Sequence, residues 1–271
     1  MGVPSTMVFA IVFLIWNPFW LLTVFATFLG AMVGVKCVLA FGLWVREGWF
    51  MKQHDLVARY GKDSWAVITG GSDGIGLGIA HRLAMNKINI VLVARNETKL
   101  KEKVAEIKKL YKVKAEYRVA DFGKGMTPEF YTKLNETMKD LDVSILVNNV
   151  GMGMKEFHIS EVQGIWDQGI LNMVPQFMMT KMFLPRFKSR TSRCCVIDLS
   201  SFAAVGEMAD TGFYGATKAF NRAFSQGMGE KFGSEFGIDF LTVKPGFVLT
   251  NIGDGTGNTV KTMMKNKADN F

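Results

Sequence analysis

Short apolar runs recur along residues 65–243 and alternate with stretches in which apolar residues repeat every three or four positions. The runs are typical of parallel strands that are covered on both faces, and the stretches are typical of amphipathic helices. The predicted strands are Trp65–Thr69, Ile88–Ala94, Ala115–Ala120, Val143–Val147, Cys195–Leu199 and Ile238–Val243. This alternation predicts an α/β fold with a doubly wound parallel sheet.

Two predicted helices have clear boundaries, at Ile75–Met85 and Asn96–Lys112. The second has an apolar stripe formed by Leu100, Val104, Ile107 and Leu110. Its remaining face is rich in lysine, which suggests nucleic-acid binding as one interpretation. Glutamates are interleaved with these lysines, so a solvated helix face explains the pattern better and no nucleic-acid partner is predicted.

The first part of the chain is apolar over a length that could cross a membrane. No charged side chain occurs before Lys36, and the apolar pattern continues to Val45. A bilayer core requires about 20 apolar residues in a helix, and residues 6–35 exceed that length. Asn17-Pro18 interrupts the run, so one kinked span and a shallow re-entrant hairpin both fit. A buried helical hairpin of a soluble protein is the alternative.

Basic residues follow this apolar segment, whereas only the α-amino group precedes it; they include Arg46, Lys52, Arg59 and Lys62. Because basic residues favour the cytoplasmic side of a membrane, the rest of the chain is expected in the cytosol. The predicted organisation is a membrane anchor at 1–46, a basic juxtamembrane segment at 47–63, a main domain at 64–250 and a short irregular tail at 251–271.

Composition narrows the class of protein further. With 49% apolar and 21% charged residues, the chain is not of a disordered or low-complexity type. Three cysteines, two of them adjacent, cannot form a secreted disulfide framework, and no Cys/His spacing suits zinc. No metal site is therefore predicted, and a reducing compartment is the simpler expectation. The net charge of +8 is spread along the chain and favours an anionic ligand or anionic lipid.

A glycine-rich turn joins the first predicted strand to the helix that follows it. Glycine is required where φ is positive and where backbone must approach a pyrophosphate, and the helix N-terminus adds free N–H groups. Because a strand precedes and a helix follows, the turn predicts a dinucleotide site in a Rossmann-like sheet. The residues predicted to line it are Thr69, Gly70, Ser72, Asp73, Gly74, Ile75 and Gly76.

The end of the second predicted strand bears on the choice of nucleotide. Sites that prefer NAD usually carry Asp or Glu there to bind the ribose hydroxyls, but this chain has Val93-Ala94-Arg95-Asn96. The guanidinium of Arg95 can pair with a 2′-phosphate, which favours NADP(H). An ordinary surface arginine beside the next helix is the alternative.

Tyr214 and Lys218 lie four residues apart in the sequence Tyr-Gly-Ala-Thr-Lys. On a helix these side chains share one face, and a nearby ammonium is expected to lower the pKa of the phenol from about 10. The hydroxyl would then exchange a proton near neutral pH. The spacing also occurs by chance on many helices. Ser201, at the end of the preceding strand, is the candidate hydrogen-bond donor to a substrate oxygen.

With these residues in order, the chain resembles the short-chain dehydrogenase/reductase family from about Trp65 to Thr250. The resemblance rests on TGGSDGIG at 69–76, Asp121, NNVG at 148–151, Asn172, Ser201, YGATK at 214–218 and KPGFVLT at 244–250. The apolar N-terminus and the SDGIG and VLVARN segments resemble one branch in particular. That branch contains membrane-bound 17β-hydroxysteroid dehydrogenases, very-long-chain 3-oxoacyl-CoA reductases and nematode steroid-dehydrogenase-like proteins.

The resemblance implies a role for each matching residue. Tyr214 would protonate the carbonyl oxygen of the substrate, and Ser201 would orient that carbonyl. Lys218 would lower the pKa of Tyr214 and hold the nicotinamide ribose. Asn172 would hold a water of the proton relay.

The remaining residues would bind the cofactor. Asp121 would contact adenine, and Asn148 and Gly151 would shape the cofactor floor. Beyond the sixth strand, Pro245 and Thr250 would reach the cofactor, Thr250 at its carboxamide. The bound NADP(H) would carry the hydride.

The substrate is expected to be lipophilic because a membrane anchor holds the enzyme where such molecules partition. Apolar residues after the strand ends are candidates for the pocket, although each would equally suit the core: Met152, Met154, Phe202, Met208 and Phe247. A long-chain 3-oxoacyl-CoA in fatty-acid elongation is the first expectation, and a steroid is the second. The branch implies the endoplasmic reticulum membrane, with membrane lipid and a second copy of the chain as candidate partners.

One departure from the branch leaves a different class of function open. Its members continue after the last motif with a helical segment that covers the substrate and a final strand. Here residues 251–271 are rich in Gly, Asn, Thr and Lys and contain no convincing strand. The alternative to an enzyme is therefore a catalytically incomplete, membrane-bound scaffold that keeps the motif set.

Overall fold

A computed structural model describes residues 18–46, 55–124, 127–153, 161–205, 212–246 and 248. The chain divides into two compact units, residues 1–54 and residues 55–271. In the first unit the described residues form helix α1, Pro18–Val45. Proline at its first described position leaves no main-chain hydrogen bond unmade, because the first N–H groups of a helix have no partner within it.

Helix α1 is long and apolar enough to span a membrane. Its segment Phe19–Val45 has a mean hydropathy of 2.1, and none of the most apolar stretch is buried inside the unit. Within the described part the helix is continuous, so the predicted apolar segment is a single helix from residue 18 onward. The predicted features before Pro18, including Trp16, lie outside the described residues.

The second unit is a six-stranded parallel sheet with helices on both faces. Its strands are β1 Trp65–Thr69, β2 Asn89–Ala94, β3 Ala115–Val119, β4 Val143–Asn148, β5 Cys194–Leu199 and β6 Ile238–Val243. Their order across the sheet is β3-β2-β1-β4-β5-β6, so the order reverses between β1 and β4. The predicted doubly wound sheet is confirmed, with strand ends that differ from prediction by one residue at most.

Helices connect these strands as short and long crossovers. They are α2 Leu56–Tyr60, α3 Gly74–Met85, α4 Glu97–Tyr111, α5 Pro128–Glu136, α6 Val162–Ser189 and α7 Gly212–Phe236, with a short 3₁₀ turn at Phe202–Ala204. Side-chain caps fix several starts: Asp55 accepts from Val57 N, and Asn96 accepts from Lys99 N. Such caps satisfy N–H groups that have no partner within the helix.

Two apolar layers hold the sheet between the helices. On one face Ile68 and Leu92 pack with α3 and with the predicted stripe of α4, where Leu100, Val104 and Ile107 are buried. The prediction for Leu110 was wrong: it is 57% exposed, because α4 ends one residue later and turns away through a left-handed Lys112. On the other face α5 and α6 pack through buried residues that include Tyr131, Phe183 and Phe187.

Helix α2 is tied to the start of β6 by a polar cluster. Asp239 accepts hydrogen bonds from Arg59 at 2.9 and 3.0 Å, from Tyr60 at 3.0 Å and from Arg193 at 2.5 Å. These donors hold the pKa of the Asp239 carboxyl below its usual range, although burial opposes them. The cluster lies at the amino ends of the strands, so the carboxyl ends remain clear of it.

Candidate active site

Three glycines of the turn after β1 leave no room for a side chain at their own positions. Gly70 has φ +63°, and a Cβ placed there would lie 2.8 Å from Asn149 Nδ2. A Cβ on Gly71 would lie 2.9 Å from Leu92, and one on Gly76 would lie 2.7 Å from the Gly70 carbonyl oxygen. The backbone is therefore bare where the N-terminus of α3 opens, and it fits the pyrophosphate of a dinucleotide.

Asn149, which sequence reasoning did not single out, braces this turn. Its Nδ2 donates to the carbonyl oxygens of Thr69 at 3.0 Å and Gly70 at 3.1 Å. Its backbone N–H donates to Thr69 Oγ1, whose hydroxyl donates to the Val147 carbonyl at 3.1 Å. Thr69 thus uses its side chain to lock β1 to β4. The available signal was the position of Asn149 after β4, which is the strand beside β1.

The neighbouring strand end carries the residues predicted to choose the nucleotide. Gly70 N donates to the Val93 carbonyl at 2.8 Å, so the turn lies against the end of β2. Arg95 follows that end, is exposed, and has no ion-pair or hydrogen-bond partner among the described residues. Lys99 lies one turn into α4, with its Nζ 3.6 Å from Asp73 of the glycine turn. Two cations therefore stand at this corner.

Asp73 and Asp121 have local structural contacts in addition to their predicted roles. Asp73 begins α3 and accepts from Gly74 N at 2.7 Å, which holds Gly74 at φ +56°. Asp121 follows β3, and its Oδ1 accepts from Gly123 N at 3.0 Å. Ser72 and Ile75 lie half-buried in the same turn. All the residues predicted for the glycine turn therefore lie at the carboxyl edge of the sheet, as does Asp121.

Ser201 and Tyr214 come together after β5. Ser201 begins the 3₁₀ turn, where its Oγ accepts from Ala203 N at 3.2 Å. The same hydroxyl faces the phenol of Tyr214 and lowers its pKa, but burial has the larger effect and raises the pKa above its ordinary value. Gly215 makes this approach feasible, because a Cβ there would lie 2.8 Å from the Ala203 carbonyl oxygen.

Lys218 lies on the same face of α7 as Tyr214, as predicted, with its Nζ 5.8 Å from the centre of the phenol ring. It is 6% exposed, and its Nζ donates to the Leu199 carbonyl at 3.1 Å. Burial lowers the pKa of Lys218 to about 8. The expectation that this ammonium lowers the pKa of Tyr214 was wrong, since the phenol is governed by burial and by Ser201.

Asn172 on α6 completes the group. It is 1% exposed, its Oδ1 accepts from Met152 N at 2.6 Å, and its Nδ2 donates to Thr217 Oγ1 at 3.2 Å. A Cβ on Gly151 would lie 3.0 Å from Asn172 Oδ1 and 3.4 Å from Lys218 Nζ. Gly151 is therefore the point at which α6 and α7 meet the end of β4.

Asn148 lies deeper than the cofactor floor that was predicted for it. It is 5% exposed, and its Nδ2 donates to Asp198 Oδ1 at 2.8 Å and to Thr180 Oγ1 at 3.0 Å. Its side chain thus points into the core beneath the site. Burial raises the pKa of the Asp198 carboxyl to about 6.

The last predicted residues are only partly described. The Pro245 carbonyl accepts from Phe202 N at 3.0 Å, which ties the segment after β6 to the Ser201 turn. Thr250 lies outside the described residues, as do Met154, Met208 and Phe247 of the predicted pocket. Phe202 is 67% exposed beside the site, so it does not fill the core.

Comparison with known proteins decides the family. The sequence profile of short chain dehydrogenases matches residues 64–261. The chain belongs to this family. Hydroxysteroid dehydrogenase-like protein 1 of Gallus gallus is 36% identical over 170 residues, which cover 61% of this chain and 50% of the relative. The human protein described as inactive hydroxysteroid dehydrogenase-like protein 1 is 35% identical, with the same coverage.

Very-long-chain 3-oxoacyl-CoA reductase-A of Danio rerio is 30% identical over 208 residues, which cover 74% of this chain and 62% of the relative. This chain spans about half the length of the hydroxysteroid dehydrogenase-like relatives. A short-chain dehydrogenase from Sphingobium yanoikuyae in complex with NADPH superposes with a TM-score of 0.66 at 29% identity. That comparison covers 72% of this chain and 77% of the other. A nicotinamide cofactor therefore fits this fold.

Gly76→Ala should weaken NADPH binding strongly and lower the free energy of unfolding by about 1–3 kcal/mol, because the new methyl group meets Asn149 and the Gly70 carbonyl. Gly78→Ala is the matched control on the same helix, where a Cβ meets nothing within 4 Å. It should leave binding intact and stabilise the helix slightly. Thermal unfolding and NADPH titration measure both effects. Equal effects of the two substitutions on NADPH binding and on thermal unfolding would contradict a dinucleotide site at the glycine turn.

Lys218→Met should raise the unfolding temperature at neutral pH. The lowered pKa corresponds to a cost of about 3 kcal/mol for burying the charged form, and Asn221 Nδ2 still donates to the Leu199 carbonyl at 3.4 Å. The advantage of the variant should shrink as the pH rises above about 8, where the folded wild type loses the proton that the unfolded chain still keeps. Lys133→Met, at an exposed position, is the control and should show no such trend. A lower unfolding temperature for Lys218→Met at neutral pH would refute this account.

Proposed function

We propose that the protein is a membrane-anchored, NADP(H)-dependent reductase of a lipophilic carbonyl compound. The single observation that carries this proposal is a continuous group of four side chains. Asn172 and Lys218 meet at Gly151, Lys218 lies beside the ring of Tyr214, and Ser201 faces the Tyr214 phenol. A hydroxyl pair and an ammonium beside a dinucleotide cradle are suited to proton transfer at a carbonyl oxygen.

The charge states of these residues favour reduction. Because burial raises the pKa of Tyr214, its phenol keeps its proton at neutral pH and can donate it to a carbonyl oxygen. Ser201, which faces the phenol, would hold the same oxygen. Lys218, with a pKa of about 8, is mainly charged at neutral pH and would return a proton to Tyr214. When bound, NADPH supplies the hydride.

NADP(H) rather than NAD(H) is proposed from the corner beside β2. No acidic residue stands at the end of this strand, whereas Arg95 is exposed there and Lys99 lies one turn further on. A 2′-phosphate would satisfy both cations. Related structures that contain NADPH support the same choice, among them the L-sorbose reductase of Gluconobacter frateurii, with a TM-score of 0.65 at 26% identity.

We propose a long-chain 3-oxoacyl-CoA as the substrate, as the name of the zebrafish relative suggests. A steroid is the alternative that the name of the chicken relative supports. Exposed apolar side chains near the carboxyl edge, Phe202 and Val205, suit either molecule. With α1 as the anchor of residues 1–46 and residues 64–250 as the catalytic domain, the enzyme would lie in the endoplasmic reticulum membrane and face the cytosol.

A non-catalytic scaffold is the competing function, because several relatives are described as inactive. The two proposals differ in what the Tyr214 hydroxyl does. In a reductase this hydroxyl must donate a proton in every turnover, whereas the function of a scaffold does not depend on it.

Tyr214→Phe should reduce turnover by about 10²–10⁴-fold while NADPH affinity stays unchanged, because the lost hydroxyl is the proton donor. The measurement is NADPH oxidation by purified full-length protein with a long-chain 3-oxoacyl-CoA and a 17-ketosteroid in parallel. Tyr111→Phe, whose hydroxyl lies against His81 on another helix, is the control. No turnover of either substrate by the wild type would favour the scaffold.

Arg95→Glu should weaken NADPH binding by about 10–100-fold and leave NADH binding nearly unchanged, because a charge-assisted bond to the 2′-phosphate is replaced by repulsion. Lys108→Glu makes the same charge change at an exposed position near the end of α4 and serves as the control. Fluorescence titration of each protein with both cofactors gives the two affinities. Parallel losses for NADPH and NADH would remove the argument for a 2′-phosphate site.

A further inference from the structure

A seam of buried polar side chains runs beneath the site, between α6, α7 and the sheet. On α6 and on α7 its members follow one another at helical spacing, and each is at most 6% exposed: Asn172, Gln176, Thr180, Lys218, Asn221 and Ser225. The two helices are joined across the seam, because Gln176 Nε2 donates to the Asn221 carbonyl at 3.0 Å. The seam thus extends from the catalytic lysine into the core.

Asp198 lies on the floor of this seam. It is fully buried on β5, one residue before Leu199, whose carbonyl accepts from both Lys218 and Asn221. One of its carboxyl oxygens accepts from Asn148 Nδ2. The reduction described above does not use Asp198, so an ionisable group is buried beneath the site without an assigned role.

Several oxygens along the seam have no hydrogen-bond partner among the described residues: Asn148 Oδ1, Gln176 Oε1, Asp198 Oδ2, Asn221 Oδ1 and Ser225 Oγ. Buried polar atoms are rarely left unpaired, and ordered water commonly satisfies them. The Ser225 hydroxyl lies close enough to Asp198 to lower the pKa of its carboxyl, against the larger effect of burial. A path lined by such oxygens is suited to a chain of water molecules.

The outer end of the seam meets a cavity of about 350 Å³ between α7 and β6. Ser225 and Thr242 line it, and Glu230 stands at its wall. Thr242 is also the register partner of Asp198 across β5 and β6. Two residues, Ser225 on α7 and Thr242 on β6, therefore lie between Asp198 and this cavity.

We propose that Asp198 relays protons between this cavity and Lys218, so that the site is reprotonated from beneath rather than through the substrate entrance. This inference rests on the proposed reductase function. In each turnover Tyr214 gives one proton to the carbonyl oxygen and regains one from Lys218. The protonated Asp198 carboxyl then passes its proton through water to the neutral Lys218 amine, and the resulting carboxylate takes a proton from solvent in the cavity.

The charges around Asp198 are compatible with this role. Lys218 faces the seam from α7, Cys195 lies on the same strand with a pKa that burial raises, and Glu230 stands at the cavity. The neighbours from β4, α6 and β6 are the uncharged Asn148, Thr180 and Thr242. Neither Asp198 nor Lys218 shifts the pKa of the other, and no ion pair joins them in the described part of the chain, so a proton exchanged between them would have to pass through the seam.

Asp198→Asn tests the relay in full-length protein with NADPH and a long-chain 3-oxoacyl-CoA. The variant should bind NADPH as the wild type does, while kcat falls about tenfold or more because proton supply becomes the slow step. In the wild type, kcat for reduction should fall as the pH rises through about 6, since the carboxyl then loses the proton that it passes on. The variant should lack this inflection.

Isotope effects separate a relay from a structural role. With slow proton supply, the solvent deuterium isotope effect on kcat should rise, and the effect of NADPH deuterated at C4 should approach unity. A variant that merely misplaces the cofactor would keep the isotope effect of deuterated NADPH and leave the solvent isotope effect unchanged. Ser225→Ala should show the same signature more weakly and keeps the inference testable if Asp198→Asn does not fold. Asp140→Asn, at an exposed position, is the control.

The outcomes distinguish this inference from the proposed function. An active wild type whose Asp198→Asn and Ser225→Ala variants keep its pH profile and isotope effects would overturn the relay alone. A wild type that oxidises no NADPH with either class of substrate would overturn the reductase function and the relay together. Slow proton supply in both seam variants, and not in Asp140→Asn, would establish the path.

Discussion

The buried ammonium of Lys218 is the constraint on which the rest of the site depends. Its hydrogen bond to the Leu199 carbonyl fixes α7 against the end of β5, and the same helix turn carries Tyr214. Ser200 adds to this fixing, because its hydroxyl donates to the Lys218 carbonyl at 2.6 Å. A charge buried away from water lowers the stability of the domain, and the packing of the apolar layers must offset that desolvation cost.

The two halves of the site are positioned by different kinds of interaction. The cofactor side is steric: bare backbone at Gly70 and Gly76, held by the amide of Asn149, leaves space that any side chain would fill. The catalytic side is electrostatic, since burial raises the pKa of Tyr214 and lowers that of Lys218. These shifts favour the uncharged forms of both groups, so the phenol keeps its proton at neutral pH while the amine remains able to exchange one.

Sequence patterns were sufficient to predict the strands and their parallel arrangement, because the central strands β1, β2 and β4 are buried on both faces and almost continuously apolar. They also placed the glycine turn and the Tyr214–Lys218 pair, whose spacing is local. They could not predict the brace from Asn149 to Thr69, which joins residues 80 positions apart. The sequence patterns also could not predict the charge states. The effect of Lys218 on Tyr214 depends on which atoms the ammonium contacts, and the ammonium donates to the Leu199 carbonyl.

A physical argument favours catalysis over a scaffold role. Lys218 and Asp198 are both at most 6% exposed, and burial shifts the pKa of each toward its neutral form. Such groups reduce the free energy of unfolding, and apolar residues of similar size would make a more stable core. A scaffold needs only a stable surface, so nothing in that role requires these two groups. The proposed proton transfer uses both of them, because groups that titrate near neutral pH readily take up and release a proton in each cycle.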